Sequence, residues 1–126
     1  MKIYSIFLIL FVFLFVAVTN SEVEAKGKNT IKMAKKIVKP GAIINIKFTT
    51  VSGLKNNAWI GIIPSNVKHG SEAENDKYDL AYQYLGGKTK GTLIFSAPTK
   101  PGAYDFRLHD TDDNGKELYS LTFVVK

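Results

Sequence analysis

The residues best suited to chemistry fall in two short segments. The first is Asp110-Thr111-Asp112-Asp113-Asn114-Gly115, followed by Lys116 and Glu117. Asp110 and Asp112 are two apart and share a face if the chain is extended there. A two-residue turn at Asn114-Gly115 would set Glu117 opposite Asp112 on that face. Like charges across a ladder repel each other, and Ca²⁺, which takes several oxygen ligands, would relieve them. Asp110, Asp112 and Glu117 are therefore the candidate metal ligands. The string begins like an EF-hand loop, but its twelfth position is Leu121, where a bidentate Glu is needed, so an EF-hand is excluded. A solvated acidic turn balanced by Lys116 and nearby lysines is the plainer reading.

The second segment is residues 69–79, with His69, Glu72, Glu74 and Asp76 as a candidate ligand-facing loop. Ser71 and Glu74 have the spacing of a capping box, which predicts a short helical turn starting at Ser71. Glu72 and Asp76 then lie one turn apart on one helical face. If this loop folds near the 110–117 tip, His69 or its carboxylates could complete a metal site. The simpler expectation is a capped loop that covers one end of the domain.

Elsewhere the chemistry thins out. His109 alternates with Arg107 and Asp105, opposite Ser120 and Thr122, and reads as exposed. Two distant histidines do not make a zinc ligand set. There is no Cys and no Gly-x-Ser-x-Gly elbow, and Ser71 is too close to His69 in sequence to build a triad with it. Gly86-Gly87 lacks the Lys and Ser/Thr context of a phosphate-binding loop. A small secreted hydrolase is thus the weakest of the functional classes, and the expectation is a non-enzymatic protein.

The elements that must position these residues are strands. Lys-rich residues 26–39 start to alternate at Ile31 and Met33 and read as a tail leading into an edge strand, where lysines discourage edge-to-edge pairing. Pro40-Gly41 is a turn. Ile44, Ile46 and Phe48 alternate with Asn45, Lys47 and Thr49. Residues 59–63 form an apolar run that reads as a central strand with Trp59 in the core. Residues 64–79 carry no strand pattern. Leu80, Tyr82 and Tyr84 share the next face, with the tyrosines a conceivable platform for stacking sugars. Residues 92–96 follow, then Tyr104, Phe106 and Leu108, and last a strand over 116–125. Taking Asn114-Gly115 as the central turn pair places Leu108 against Leu121, Phe106 against Phe123 and Tyr104 against Val125. About seven strands with frequent turns and no long helix predict one all-β domain, an immunoglobulin-like antiparallel β-sandwich over residues 37–126.

The order Pro40-Gly41, Trp59-Ile60-Gly61-Ile62, Tyr82-Gln83-Tyr84, Phe95-Ser96-Ala97-Pro98, Pro101-Gly102-Ala103-Tyr104-Asp105-Phe106 and Asp113-Asn114-Gly115 resembles the SKICH-type immunoglobulin-like domain. The resemblance covers about residues 37–125 and rests on structural positions. It implies a non-enzymatic recognition role, because SKICH-type domains are binding modules of intracellular proteins. This chain departs from that pattern in its export segment and in a longer, more acidic 64–79 loop.

That export segment is Lys2 followed by an apolar run over residues 3–18 and the Val23-x-Ala25 site of a secretory signal, which predicts cleavage after Ala25. An uncleaved anchor is the rival, since roughly 18 apolar residues can just span a bilayer. Without Cys, lipid attachment through an N-terminal Cys is excluded. Removing residues 1–25 takes away Lys2, Glu22 and Glu24 and moves the formal net charge from +6 to +7. Residues 26–36 then form a Lys-rich N-terminal tail. With no disulfide available, the exported domain must rely on core packing or a bound ion. The expected role is a secreted, periplasmic or cell-envelope module that binds a protein or an anionic surface polymer. A Ca²⁺-binding sandwich whose ion orders the 64–79 loop is the alternative. The lysines are scattered along tails and loops, which argues against nucleic acid, and membrane contact is expected only through an uncleaved signal.

Overall fold

A computed structural model describes residues 27–126, so the signal segment and its cleavage site lie outside the described residues. There, the period-two segments become strands: β1 (Thr30–Met33), β2 (Ile37–Val38), β3 (Ile43–Thr49), β4 (Trp59–Pro64), β5 (Ala81–Tyr84), β6 (Lys90–Ser96), β7 (Gly102–His109) and β8 (Glu117–Val125). One helix, α1 (Glu72–Tyr78), sits between β4 and β5. The strands form two sheets, ordered β1-β3-β6 and β2-β8-β7-β4-β5. Every pairing is antiparallel except β2 beside β8. The chain is an all-β sandwich of two sheets, as the alternation predicts. It has eight strands in these residues because the first edge segment splits. After β1 the chain bends at residues 34–36 and crosses to the other sheet, where β2 runs parallel to β8. Residues 30–33 of the Lys-rich segment thus belong to the sandwich, and Ile31 is in its core.

The core forms where the inner faces of the sheets meet. Ile44, Ile46 and Phe48 of β3 and Phe95 of β6 pack with Ile60, Ile62, Phe106, Leu108 and Phe123 of the larger sheet. Phe106 links the layers, with ring centroids 5.2 Å from Phe95 and 4.8 Å from Phe123. In β4 the burial is two-sided. Ile60 and Ile62 face the core, while Trp59 and Ile63 are buried on the opposite face. A strand is buried on both faces only when something covers its outer side, and that cover is residues 64–79.

The β7–β8 hairpin corrects the expected register. Its pairs are Leu108 with Tyr119, Phe106 with Leu121 and Tyr104 with Phe123, two residues away from the expected alignment, with an irregularity between Leu108 and His109. Asp110 is the cause. Its amide donates to the Lys116 carbonyl (3.1 Å) and its Oδ1 accepts from the Lys116 amide (2.7 Å), which closes the loop at residues 110 and 116 rather than 113 and 116. Asn114 takes the left-handed conformation at φ 55°. A Cβ at Gly115 would stand 2.1 Å from Asp110 Oδ1, so the carboxylate grip requires glycine there.

The Trp59 indole fills the space above Gly61. A Cβ at Gly61 would lie 2.5 Å from Trp59 Cζ3 and 2.9 Å from the Ala81 carbonyl oxygen. Backbone on one side and a packed ring on the other leave little room to relax. Gly61→Ala is expected to cost about 1–3 kcal/mol, read as a lower denaturant midpoint with an unchanged m-value.

Candidate functional site

The segment over residues 64–79 is a lid fastened to the hairpin tip. Ser71 caps α1, its hydroxyl accepting from the Glu74 amide at 3.2 Å, as the capping-box spacing predicts. Ser71 also forms a bridge with Lys116. The Glu72 amide donates to the Gly115 carbonyl (3.1 Å), and the Glu117 amide donates to the Gly70 carbonyl (3.0 Å). The 69–76 loop and the 110–117 tip, far apart in sequence, therefore meet.

Beneath the lid is a buried polar layer. Register places Asp105, Arg107 and His109 on one side of β7, beside Ile63, Gly61 and Trp59 of β4. The expectation of an exposed His109 is corrected here, because the lid buries all three side chains. Arg107 is 0 % exposed and organises the layer. Its Nε and Nη2 donate to Asp105 Oδ2 at 3.0 and 2.8 Å, and its Nη1 donates to Asn75 Oδ1 at 2.7 Å. Nη2 also donates to the Val67 carbonyl at 2.8 Å, with the Ser65 and Lys68 carbonyls 3.4 Å from the guanidinium. One buried cation thus supplies partners to the lid's backbone and to α1.

The orientation of Asn75 follows from this. Its Oδ1 accepts from Arg107, so its Nδ2 must donate, and it does so to Glu117 Oε1 (2.8 Å) and His109 Nε2 (2.9 Å). His109 therefore accepts at Nε2 and is neutral. Its ring stacks on Trp59 with centroids 3.8 Å apart. Burial is the main cause that pushes the His109 pKa down to about 4, and the Arg107 charge adds to it. Glu117 Oε2 lies 2.6 Å from His69 Nδ1, which donates to it. Burial alone would raise the Glu117 carboxyl, but hydrogen bonds from His69 and Asn75 and the Arg107 charge overcome it and hold the pKa below the usual value. Asp105 behaves likewise. Burial opposes its charge, yet bonds from Thr122, Ser65 and Arg107 hold its pKa low.

The acids of the tip take different partners. Asp110 holds the Lys116 amide and Glu117 joins the buried layer. Asp112 instead turns to α1, where its carboxylate meets those of Glu72 and Asp76, with one oxygen from each within 4.8 Å of the others. Its Oδ2 also accepts from the Tyr84 hydroxyl at 2.5 Å, which pushes that phenol up to about 12. Burial raises the Glu72 carboxyl, and repulsion from Asp112 and Asp76 raises it further. Asp79 is raised by burial, then by Asp76 and Asp112. Glu74 points away and pairs with Lys77 at 3.3 Å.

Among the described residues, the Ser65 hydroxyl donates to Asp105 and the Ser71 hydroxyl accepts from the Glu74 amide, and neither is hydrogen-bonded to a histidine nitrogen. Sequence reasoning missed Asn75, Asp105 and Arg107 as members of the site. The signal was the spacing Glu72-x-x-Asn75-Asp76, which puts polar residues on the helix face turned to the sheet. No protein-family model matches this chain, and no curated protein matches it.

Two outcomes follow from the buried layer. Removing the guanidinium strands the charges of Asp105 and Glu117, so Arg107→Ala should cost ~3–5 kcal/mol, read by chemical denaturation. The second concerns pH. Unfolded His109 takes up a proton near pH 6.5, whereas the folded ring resists until about 4. The unfolded state therefore binds more protons in that window, and stability should fall as pH drops from about 6.5 to about 4, by at most ~3 kcal/mol from this ring. Glu72 and Asp79 act in the opposite sense, because protonation relieves their burial and repulsion. Below pH 4.5, the ordinary value for Glu117, that residue and then Asp105 add to the loss. His109→Phe keeps the stacking on Trp59 and removes the titration, so its melting temperature should vary less between pH 6.5 and 4 than that of the parent.

Proposed function

We propose that this chain is an exported, non-enzymatic recognition module that binds an anionic surface polymer through the outer face of β1-β3-β6. The observation that carries this reading is the separation of charge. Of the eleven Asp and Glu residues, Glu22 and Glu24 precede the sandwich, and the other nine all lie within residues 72–79 and 105–117. No carboxylate occurs on β1, β3 or β6. Their outer face instead carries Lys32, Lys47 and Lys90. Lys32 is directly opposite Lys47, and Thr49 is opposite Lys90. Like charges placed across a ladder are unfavourable, and an anionic partner reverses that sign. Exposed Ile43 and Ile94 on the same face add apolar area, and Asn45, Thr92 and Thr30 add hydrogen-bonding groups. The resemblance to SKICH-type binding domains agrees with a recognition role.

Heparin serves as the polyanion probe. The chain should bind immobilised heparin and elute at a salt concentration set by these lysines, since such attraction is screened by added salt. The triple variant Lys32→Gln/Lys47→Gln/Lys90→Gln should elute much earlier, while Lys55→Gln/Lys88→Gln/Lys116→Gln, of equal net charge, should stay near the parent. Equal elution of the two triple variants would overturn the assignment to this face.

A further inference from the structure

We infer that Glu72, Asp76 and Asp112 form a divalent-cation site, of the Ca²⁺ class, between α1 and the β7–β8 tip. The inference is independent of the polymer-binding face, which lies on the other sheet.

Convergence of three acids is not enough by itself, since exposed carboxylates cluster without ions. Glu72 supplies the second observation. It is 2 % exposed, and its Oε2 has no hydrogen-bond partner. The indole N–H of Trp59 is a neighbour that slightly favours the charged carboxylate, yet the two do not meet hydrogen-bond geometry, and Trp59 Nε1 is also without a partner. The Gly115 backbone also favours the charged form, but a buried carboxylate oxygen without a partner is costly, and this carboxylate is one of the three that converge. Asn75, one residue from Asp76 and as buried as Glu72, shows what the fold does when it satisfies such a group, since both ends of its amide are bonded.

The chain is rich in cations, and none is used here. Among the described residues the ion pairs are Lys77 with Glu74 and Arg107 with Asp105 and Glu117, and the His69 ring lies against Asp105 and Glu117. None reaches Glu72, Asp76 or Asp112. Lys77 is adjacent to Asp76 in sequence but pairs with Glu74. No cationic side chain among the described residues thus balances the three carboxylates, and Asp79 adds to the negative field.

The geometry suits one hard cation. Glu72 and Asp76 are one helical turn apart, and the bonds between Glu72 and Gly115 and between Glu117 and Gly70 hold that turn against the tip. Oxygens within 4.8 Å of one another need only a small inward shift of the side chains to share a Ca²⁺ ion at 2.3–2.6 Å from each. The Tyr84 hydroxyl takes one acceptor position on Asp112 Oδ2, and the carboxylate keeps further lone pairs for a metal. Asp76 is exposed, so water can complete the six to eight oxygens that Ca²⁺ takes in irregular arrangements. Three carboxylates with no neutral cage around them select charge more than size.

Thermal melting of the chain in millimolar CaCl₂ and in chelator tests the site. A ligand that binds only the folded state raises its stability. At Ca²⁺ about ten times Kd, the melting temperature should rise by roughly 4–8 °C. Terbium, as a Ca²⁺ surrogate, should show emission sensitised by Tyr84 and Trp59 that millimolar Ca²⁺ displaces. Asp76→Asn should lose both responses, while Asp113→Asn, which removes an exposed acid of the same tip, should keep them. Glu72→Gln is nearly isosteric and should melt higher than the parent in chelator yet ignore Ca²⁺. Equal melting of the parent in Ca²⁺ and chelator would sink the site, as would an undiminished Ca²⁺ response in Asp76→Asn and Glu72→Gln.

Discussion

The buried guanidinium of Arg107 is the constraint from which the outer half of this molecule follows. A cation taken out of water is very costly unless its partners are nearly ideal. Here the partners come from four places: Asp105 on the same strand, Asn75 on α1, carbonyls of residues 65–68, and Glu117 across the hairpin at 3.5 Å. No single element could supply them. The lid must lie where it does for Arg107 to be tolerated, and Arg107 must be there for the lid's carbonyls to be bonded away from water. The interaction is therefore a device for specifying one position of an otherwise irregular segment more than a source of net stability.

The lid in turn decides what the second face of the larger sheet can be. Without cover, β4 would expose Trp59 and Ile63, and His109 would titrate like any surface imidazole. With cover, Trp59 stacks on a neutral His109, and Asn75 holds that ring in one tautomer. The same closure carries Glu72 inward with α1. Its burial and the unpaired acids around it are the remaining electrostatic debt of the arrangement. Arg107 neutralises the carboxylates of Asp105 and Glu117 but does not pair with those of Glu72, Asp76 and Asp112. Negative charge therefore accumulates on the lid side, while the opposite sheet carries lysines alone.

The inner half of the molecule was legible from alternation. Ile44, Ile46 and Phe48 facing one way, and Tyr104, Phe106 and Leu108 another, are period-two signals that need no partner to be read. The Ser71–Glu74 cap was legible for the same reason, since it closes within four residues. The hairpin register was not. Leu108 finds an apolar neighbour on the correct face whether it meets Leu121 or Tyr119, because a shift of two preserves the faces. The decision fell to the Asp110 carboxylate, which captures a backbone amide six residues on. Asp105, Arg107 and His109 misled for a deeper reason. Alternating polar residues on a strand look solvated, and they become core only once another segment brings Asn75 and a set of carbonyls. That long-range satisfaction has no period. Likewise Glu72 and Asp76 could be placed on one helical face, but their third member turned out to be Asp112 alone, because Asp110 and Glu117 are occupied elsewhere.

The electrostatics of Glu72 link the two halves of this account. Burial and two neighbouring acids oppose its charge, and the fold can answer with a proton or with a cation. The two answers exclude each other at the same oxygen. A proton neutralises Glu72 but leaves Asp76 and Asp112 facing one another, whereas a divalent cation compensates all three and ties α1 to the tip. A cation bound there would compete with the proton for Glu72, and acid also begins to charge His109 on the other side of Asn75. Falling pH therefore acts on the lid in two senses, relieving the burial and repulsion of Glu72 on one side of Asn75 and charging the buried His109 on the other.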